Sequence, residues 1–499
     1  MTTIEALGRA LDLAAEISDI ESAEALLSWD QETKMPKKGV QGRSKVSATL
    51  AGLHHEKLTQ SEIGDLLNRL RTDSSLEDEA KAQVVDMCRS YDRATKIPSE
   101  LVKRFAEVRS QSTAAWAQAR EAKNFTKFAP HLEEVVSVTR ELAEAIGYDS
   151  HPYDALVEEY EPGATIEGIT QVLEEVKSFL VPYVQKIGES GKKVDLKLVE
   201  GPYDVAKQEA FGREVVLAMG FDLEAGRIDP SAHPFCSGIH GGDVRLTTRY
   251  KGDIRVGLYG TIHEAGHGLY EQGVADSIRR TPIGSIKSLG IHESQSRLWE
   301  NNIGLGRSFW TGFYPSLQKH FPEQLGSVAL DDFYSAVNDV RPTLIRIEAD
   351  EVTYNLHIVI RFEIEKLLME NKVAIRDLPE LWNSKYKEYL GITPPSDDVG
   401  VLQDIHWGSG LMGYFPTYTL GSLNAAQFCE AAQRDIPDLE ARIAKGELSP
   451  LKDWLVENVH KWGSRFSPEE LVTRATGKPT SAEPFIRYIR EKYDALYNL

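Results

Sequence analysis

Apolar side chains recur at three- and four-residue intervals along most of the chain, the spacing that lines one face of an α-helix. Leu132, Val135, Val136, Leu142, Ala145 and Ile146 show it, with Glu133, Glu134, Arg140 and Glu144 between them. Similar windows cover residues 4–28, 42–57, 76–95 and 98–122, the last opening on Pro98 and Ser99, which suit a helix start. Residues 1–160 thus predict a succession of helices forming a wall or lid of a cleft, with nothing catalytic in their spacing. A turn at Glu161-Pro162-Gly163-Ala164 follows, and Thr165 caps a helix expected to reach residue 188. Another helix is expected over 203–219, and the Gly-, Pro- and His-rich run from Gly226 to Gly242 reads as irregular and open to a cleft. The period then changes. Asp243 to Tyr250 alternates polar and apolar side chains and is rich in β-branched residues, a strand signal. Helical windows return at 290–303, 328–340, 344–370 and 376–389, before an aromatic, glycine-rich stretch from Trp407 to Gly421 and several short helices. No fixed-period repeat interrupts this. The fold class is mainly α, with a small sheet beside the helix that follows the strand.

Composition narrows the partners. Hydrophobic residues make up 41% of the 499 positions and charged residues 27%, ordinary for a globular protein. A net charge of −19 argues against nucleic acid or an anionic membrane surface as partner. No apolar run approaches the ~18 residues of a membrane span. The first 26 residues alternate acids with leucines and alanines, an amphipathic helix and not a signal peptide. Three widely separated cysteines, Cys88, Cys236 and Cys429, cannot form a complete disulfide framework, so a reducing cytoplasm is the expected location.

The chemistry concentrates in Gly260 to Tyr270, which contains His263-Glu264-x-x-His267 in a helix-compatible run. Positions i and i+4 share a helix face, so the two imidazoles can meet one metal ion. Glu264 is turned roughly 100° from His263, where its carboxylate can face a water without ligating the metal. A catalytic zinc site takes a third protein ligand and leaves a position open to water. Glu293, in Gly290-Ile291-His292-Glu293, can reach across from a neighbouring helix, or it merely favours the positive end of its own helix.

Six ordered motifs carry a wider resemblance. They are Trp29-Asp30-Gln31 with Met35-Pro36, His233-Pro234-Phe235, Asp243-x-Arg245-x-Thr247, His263-Glu264-x-x-His267 with His292-Glu293-Ser294-Gln295, Ile345-Arg346-x-x-Ala349-Asp350, and Gly400-x-x-Gln403-Asp404-x-His406-Trp407. Through nearly its whole length the chain resembles the Taq-type, or thermostable, metallocarboxypeptidases, a gluzincin family. That resemblance implies one catalytic domain over 1–499, with the active-site region at 226–421, in a two-lobed helical fold with a deep groove like those of neurolysin and angiotensin-converting enzyme. It implies a homodimer, one divalent metal per subunit, zinc or cobalt, and release of single residues from peptide C-termini. It makes His263, His267 and Glu293 the ligands and Glu264 the general base. By analogy with related gluzincins, His406 and Tyr418 are the candidates for the oxyanion, with Tyr414 close by.

An exopeptidase must also hold the terminal carboxylate, which a planar guanidinium does through two parallel bonds. Arg346 is the first candidate, although Asp350 at i+4 of the same expected helix offers it a structural partner. Arg245 is the second, with a role in limiting groove length or a solvated face as alternatives. His233 and Gln403 are expected to shape the groove, and His240 and His357 to pack or solvate. The alternatives to a broad-specificity metallocarboxypeptidase are an internally cutting oligopeptidase and a non-catalytic metal-binding scaffold.

Overall fold

The chain begins with a helix because its first residues close a capping box: the Thr2 hydroxyl accepts from Glu5 N and the Glu5 carboxylate accepts from Thr2 N. In the computed structural model, which describes residues 1–499, this α1 (Thr3–Thr33) is followed by α2 (Val40–Leu58), α3 (Ser61–Leu70) and α4 (Asp78–Lys96). Ala6, Ala10, Leu13 and Ile17 of α1 meet Ile63, Leu66, Leu67 and Leu70 of α3 and Val84 and Met87 of α4 in an 11-residue core of their own. The windows foresaw α1, α2 and α4 but not α3, whose ten residues carry the right spacing between two short polar loops. α2 buries none of its residues and lies along α1.

A separate core of 94 buried residues starts at Ala119 and runs to Tyr497. The expected wall of residues 1–160 is therefore divided, since helix Ala129–Ile146 already packs into the main core through Leu132, Val136 and Ala143. The seam between the two cores is polar. Lys34 pairs with Asp229, Asp19 with Arg280, Glu79 with Arg465 and Arg89 with Glu158. A cavity of about 370 Å³ lies in it, lined by Ser18, His54, Met87, Ser90 and Pro282 among others.

The segment 226–242 is not irregular. It forms β1 (Gly226–Pro230) and β2 (Cys236–His240), which flank β3 (Asp243–Thr248) in the order β1-β3-β2, parallel on one side and antiparallel on the other. Five-residue strands containing Gly226, Pro230 and Gly238 carry almost no propensity signal, and pairing with β3 is what orders them. Thr248 at the end of β3 meets Thr261 through a 3.0 Å hydroxyl–hydroxyl bond, which ties the sheet to the helix Ile254–Gly273 carrying the histidine motif.

Three helices stack tightly around that motif. A Cβ on Gly266 would come within 2.6 Å of the Gln295 carbonyl, and one on Gly421 within 2.5 Å of Glu293 Cγ. These two glycines let helix Leu289–Arg297 sit between Ile254–Gly273 and Pro416–Asp435. Leu289–Arg297 continues as a seven-residue π-helix, Leu298–Gly304. The expected helix at 344–370 begins only at Tyr354, because Asp350 accepts from Val352 N and Thr353 N and turns the chain; Arg346 stands on a short 3₁₀ turn, Arg346–Glu348. No helix is long and apolar enough to cross a membrane, and all three cysteines are free thiols.

Candidate active site

His263 and His267 lie one turn apart on their helix, and the first turns of Leu289–Arg297 bring Glu293 opposite them. Glu293 Oε2 is 3.5 Å from His263 Nε2 and 3.4 Å from His267 Nε2, and one donor atom of each residue lies within 4.8 Å of the other two. Ser296 Oγ donates to the same oxygen at 2.9 Å, while Arg297 Nε holds Oε1 at 2.7 Å. His263 turns its other nitrogen outward, with Nδ1 2.7 Å from Glu300 Oε2, which presents Nε2 to the centre. His267 Nδ1 has no protein partner; its ring stacks on His292 at 4.3 Å, and His292 Nε2 is bound to Glu271 at 3.1 Å.

This donor set fits a divalent cation. Burial lowers the basicity of His263, but Glu293, Glu300 and Glu264 outweigh it and raise the ring to about 9, the same negative field that favours a metal. Burial pushes His267 down to about 3. Burial also opposes charge on Glu293, yet Arg297 and the two histidines hold it well below the usual carboxylate range. Glu264, 6% exposed, is raised to about 7 by burial, with His263 pulling the other way. It is a carboxylate poised near neutrality beside three groups that could hold a metal, the setting a general base requires.

A second cluster faces this one. Asp404 bridges two guanidinium groups: Oδ1 accepts from Arg346 Nε at 3.1 Å and Nη2 at 2.9 Å, and Oδ2 accepts from Arg361 Nε at 2.7 Å. Arg346 Nη1 also donates to the Tyr354 hydroxyl at 3.2 Å. Arg346 therefore pairs with Asp404 and not with Asp350, which belongs to the turn described above. Gln403 does not reach outward; its Oε1 accepts from Arg346 N and its amide holds Leu344 O, so it fixes the Arg346 segment. His406 Nε2 and the Tyr418 hydroxyl lie 3.4 Å apart, and the Tyr414 ring is 5.3 Å from that of Tyr418. Burial lowers His406 to about 4, raises Tyr414 to about 12 and lifts Tyr418 well above the usual phenol range, so all three are neutral donors at pH 7.

Other candidates fall elsewhere. Both oxygens of Asp243 hold Arg245, through Nε and Nη2, at 2.8 Å, and its guanidinium lies 4.3 Å over Trp29, so it is half-buried against the N-terminal helices. His233 is exposed, and only its carbonyl is engaged, by the hydroxyls of Ser231 and Thr247. His240 accepts from Gly242 N in a turn, and His357 is buried against Tyr386. Arg297, Glu300, Tyr354 and Arg361 were not singled out from sequence. The first two stand at i+4 and i+7 from Glu293, a helical signal available once that glutamate is placed; Arg361 offered none.

Two imidazoles, a glutamate and a buried second carboxylate on clamped helices define a helical metallopeptidase. Residues 9–493 match the model of the carboxypeptidase Taq (M32) metallopeptidase family, and the chain belongs to that family of metallocarboxypeptidases. Thermostable carboxypeptidase 1 of Thermus thermophilus is 43% identical over 510 residues covering 100% of both chains, and carboxypeptidase 1 of Bacillus subtilis 39% identical over 98% of each. The crystal structure of an M32 carboxypeptidase from Deinococcus radiodurans superposes with a TM-score of 0.96 at 40% identity, over 99% of this chain and 100% of that one. The resemblance carried by the six motifs is borne out, and internal cutting is not favoured.

Proposed function

We propose that the protein removes single residues from peptides with a free C-terminus, with His263, His267 and Glu293 as the metal ligands and Arg346 as the anchor of the chain end. The observation that carries the anchor is a count of donors. A guanidinium has five N–H groups, and Arg346 gives two to Asp404 and one to Tyr354. The two left are one on each terminal nitrogen, the number a carboxylate accepts through parallel bonds. Charge agrees: Arg346 and Arg361 share the single carboxylate of Asp404, leaving a positive surplus in a buried place.

His263, His267 and Glu293 would hold a divalent ion such as zinc or cobalt, which would supply an acidified water and polarisation of the scissile carbonyl. Glu264 accepts the proton of the attacking water and returns it to the leaving amine. His406 and Tyr418, kept neutral by burial, donate to the oxyanion, with Tyr414 as the alternative hydroxyl. The test compares a peptide with its C-terminally amidated form. Stepwise loss of residues from the free acid, abolished by a chelator and absent from the amide, is expected; equal cleavage of both removes Arg346 as anchor. A homodimer and a cytoplasmic location complete the reading, supported by the family resemblance and by three unpaired thiols. Light scattering of the purified protein checks the former.

A further inference from the structure

Tyr354 stands between the two halves of the site. Its ring lies 4.2 Å from the guanidinium carbon of Arg297, whose Nε holds the Glu293 carboxylate at 2.7 Å. Its hydroxyl accepts from Arg346 Nη1 at 3.2 Å. It is the first residue of helix Tyr354–Met369, only 5% exposed, and its backbone is fixed by the Asp350 turn just before it. One side chain thus joins Glu293, through Arg297, to Arg346. An enzyme that removes one residue must keep the anchor and the hydrolytic centre about one residue apart, and an error of ~1 Å in such a spacing can cost ~10²-fold in rate. A flexible link cannot hold that span, whereas a buried aromatic ring with its hydroxyl fixed can.

We infer that Tyr354 is a positioning residue that sets the distance and orientation of the chain-end anchor relative to the metal centre, and so the single-residue register of cleavage. This rests on the reading of Arg346 as the anchor. Tyr354→Phe keeps the ring on Arg297 but removes the acceptor for Arg346. In the metal-loaded enzyme it should raise KM for free-acid peptides about tenfold, lower kcat by up to ~10²-fold as the chain end drifts from its register, release dipeptides beside single residues, and reduce the preference for acid over amide. Metal affinity, measured by competition with a chromogenic chelator, should not change. Tyr354→Leu removes both contacts and should weaken metal binding as well. A tyrosine that only fills space would lower the melting temperature and leave the acid-to-amide preference alone; wild-type KM and preference in Tyr354→Phe overturn the inference, as does unchanged metal affinity in Tyr354→Leu. Should both variants fail to fold, Arg297→Lys decides: it breaks the planar stacking, and KM for free acids should rise even at saturating metal, while an unchanged KM overturns the link. Arg346→Gln separates this from the underlying reading. If it retains the preference for acids, the anchor itself is wrong; if it loses the preference and Tyr354→Phe does not, only the link fails.

Discussion

Glu264 owes its chemistry to where the helix puts it, one residue past His263 and inside the packed face, where burial lifts its carboxyl to about 7. Glu264→Gln keeps all three proposed ligands, so metal stoichiometry by atomic absorption should be unchanged while kcat drops by roughly 10²–10⁴-fold. Full turnover in that variant would remove the general-base role. Glu300 acts at one remove, by fixing the His263 ring. Glu300→Gln should weaken metal binding by about 10–100-fold in a chelator competition, with a smaller effect on turnover at saturating metal. The clustering of His263, His267 and Glu293 was legible because their spacing is set by one helix and its neighbour. Arg346 was legible as a guanidinium but not by its partner: Asp350, four positions on, fits helical pairing, whereas Asp404 is brought to it only by tertiary folding.

Elements set which of these residues meet. The N-terminus of Leu289–Arg297 is held by Glu161, just past helix Asp154–Tyr160, whose carboxylate accepts from Ser288 Oγ and from Gly290 N at 2.9 Å. Burial raises this carboxyl to about 7 against the pull of those hydrogen bonds. The folded state therefore holds a proton between the unfolded value near 4.3 and pH 7 that the unfolded chain has released. That contribution to stability is present in full below about pH 4 and declines as pH rises through the window, levelling above 7. Compared with wild type, Glu161→Gln should flatten the fall in melting temperature between pH 5 and 8; parallel profiles would exclude the linkage. Gly421→Ala drives a methyl into Glu293 Cγ and should destabilise by about 1–3 kcal/mol, read by urea unfolding, with weaker metal binding. Long helices were legible from their apolar period. The 3₁₀ turn before Tyr354 and the strands β1 and β2 were not, since a capping aspartate and pairing with β3 override what their local sequence favours.

At the scale of the whole molecule, two separate cores share one chain. Composition gave no sign of the division, and apolar windows ran evenly across residues 1–160, because a window records that a face is buried and not against what. The face of α1 that holds Ala6, Leu13 and Ile17 turns to α3 and α4, away from the body. The halves are joined by ion pairs, by the stacking of Arg227 and Arg245 on Trp29, by the buried Gln83 amide bonded to Thr281 and Ile283 N, and by Ala82 packed on Val274, Ile278 and Ile283. The exposed pairs, Asp19 with Arg280 and Glu79 with Arg465, are each worth only ~0–1 kcal/mol and are screened by salt, whereas Asp229 is buried. Amides of residues 3–96 should accordingly exchange with deuterium as one cooperative block, earlier than those of the Ile254–Gly273 helix, and the gap should widen as ionic strength rises. The same seam makes salt concentration a handle on how often the first four helices lift away from the chemistry, independent of any change at the metal.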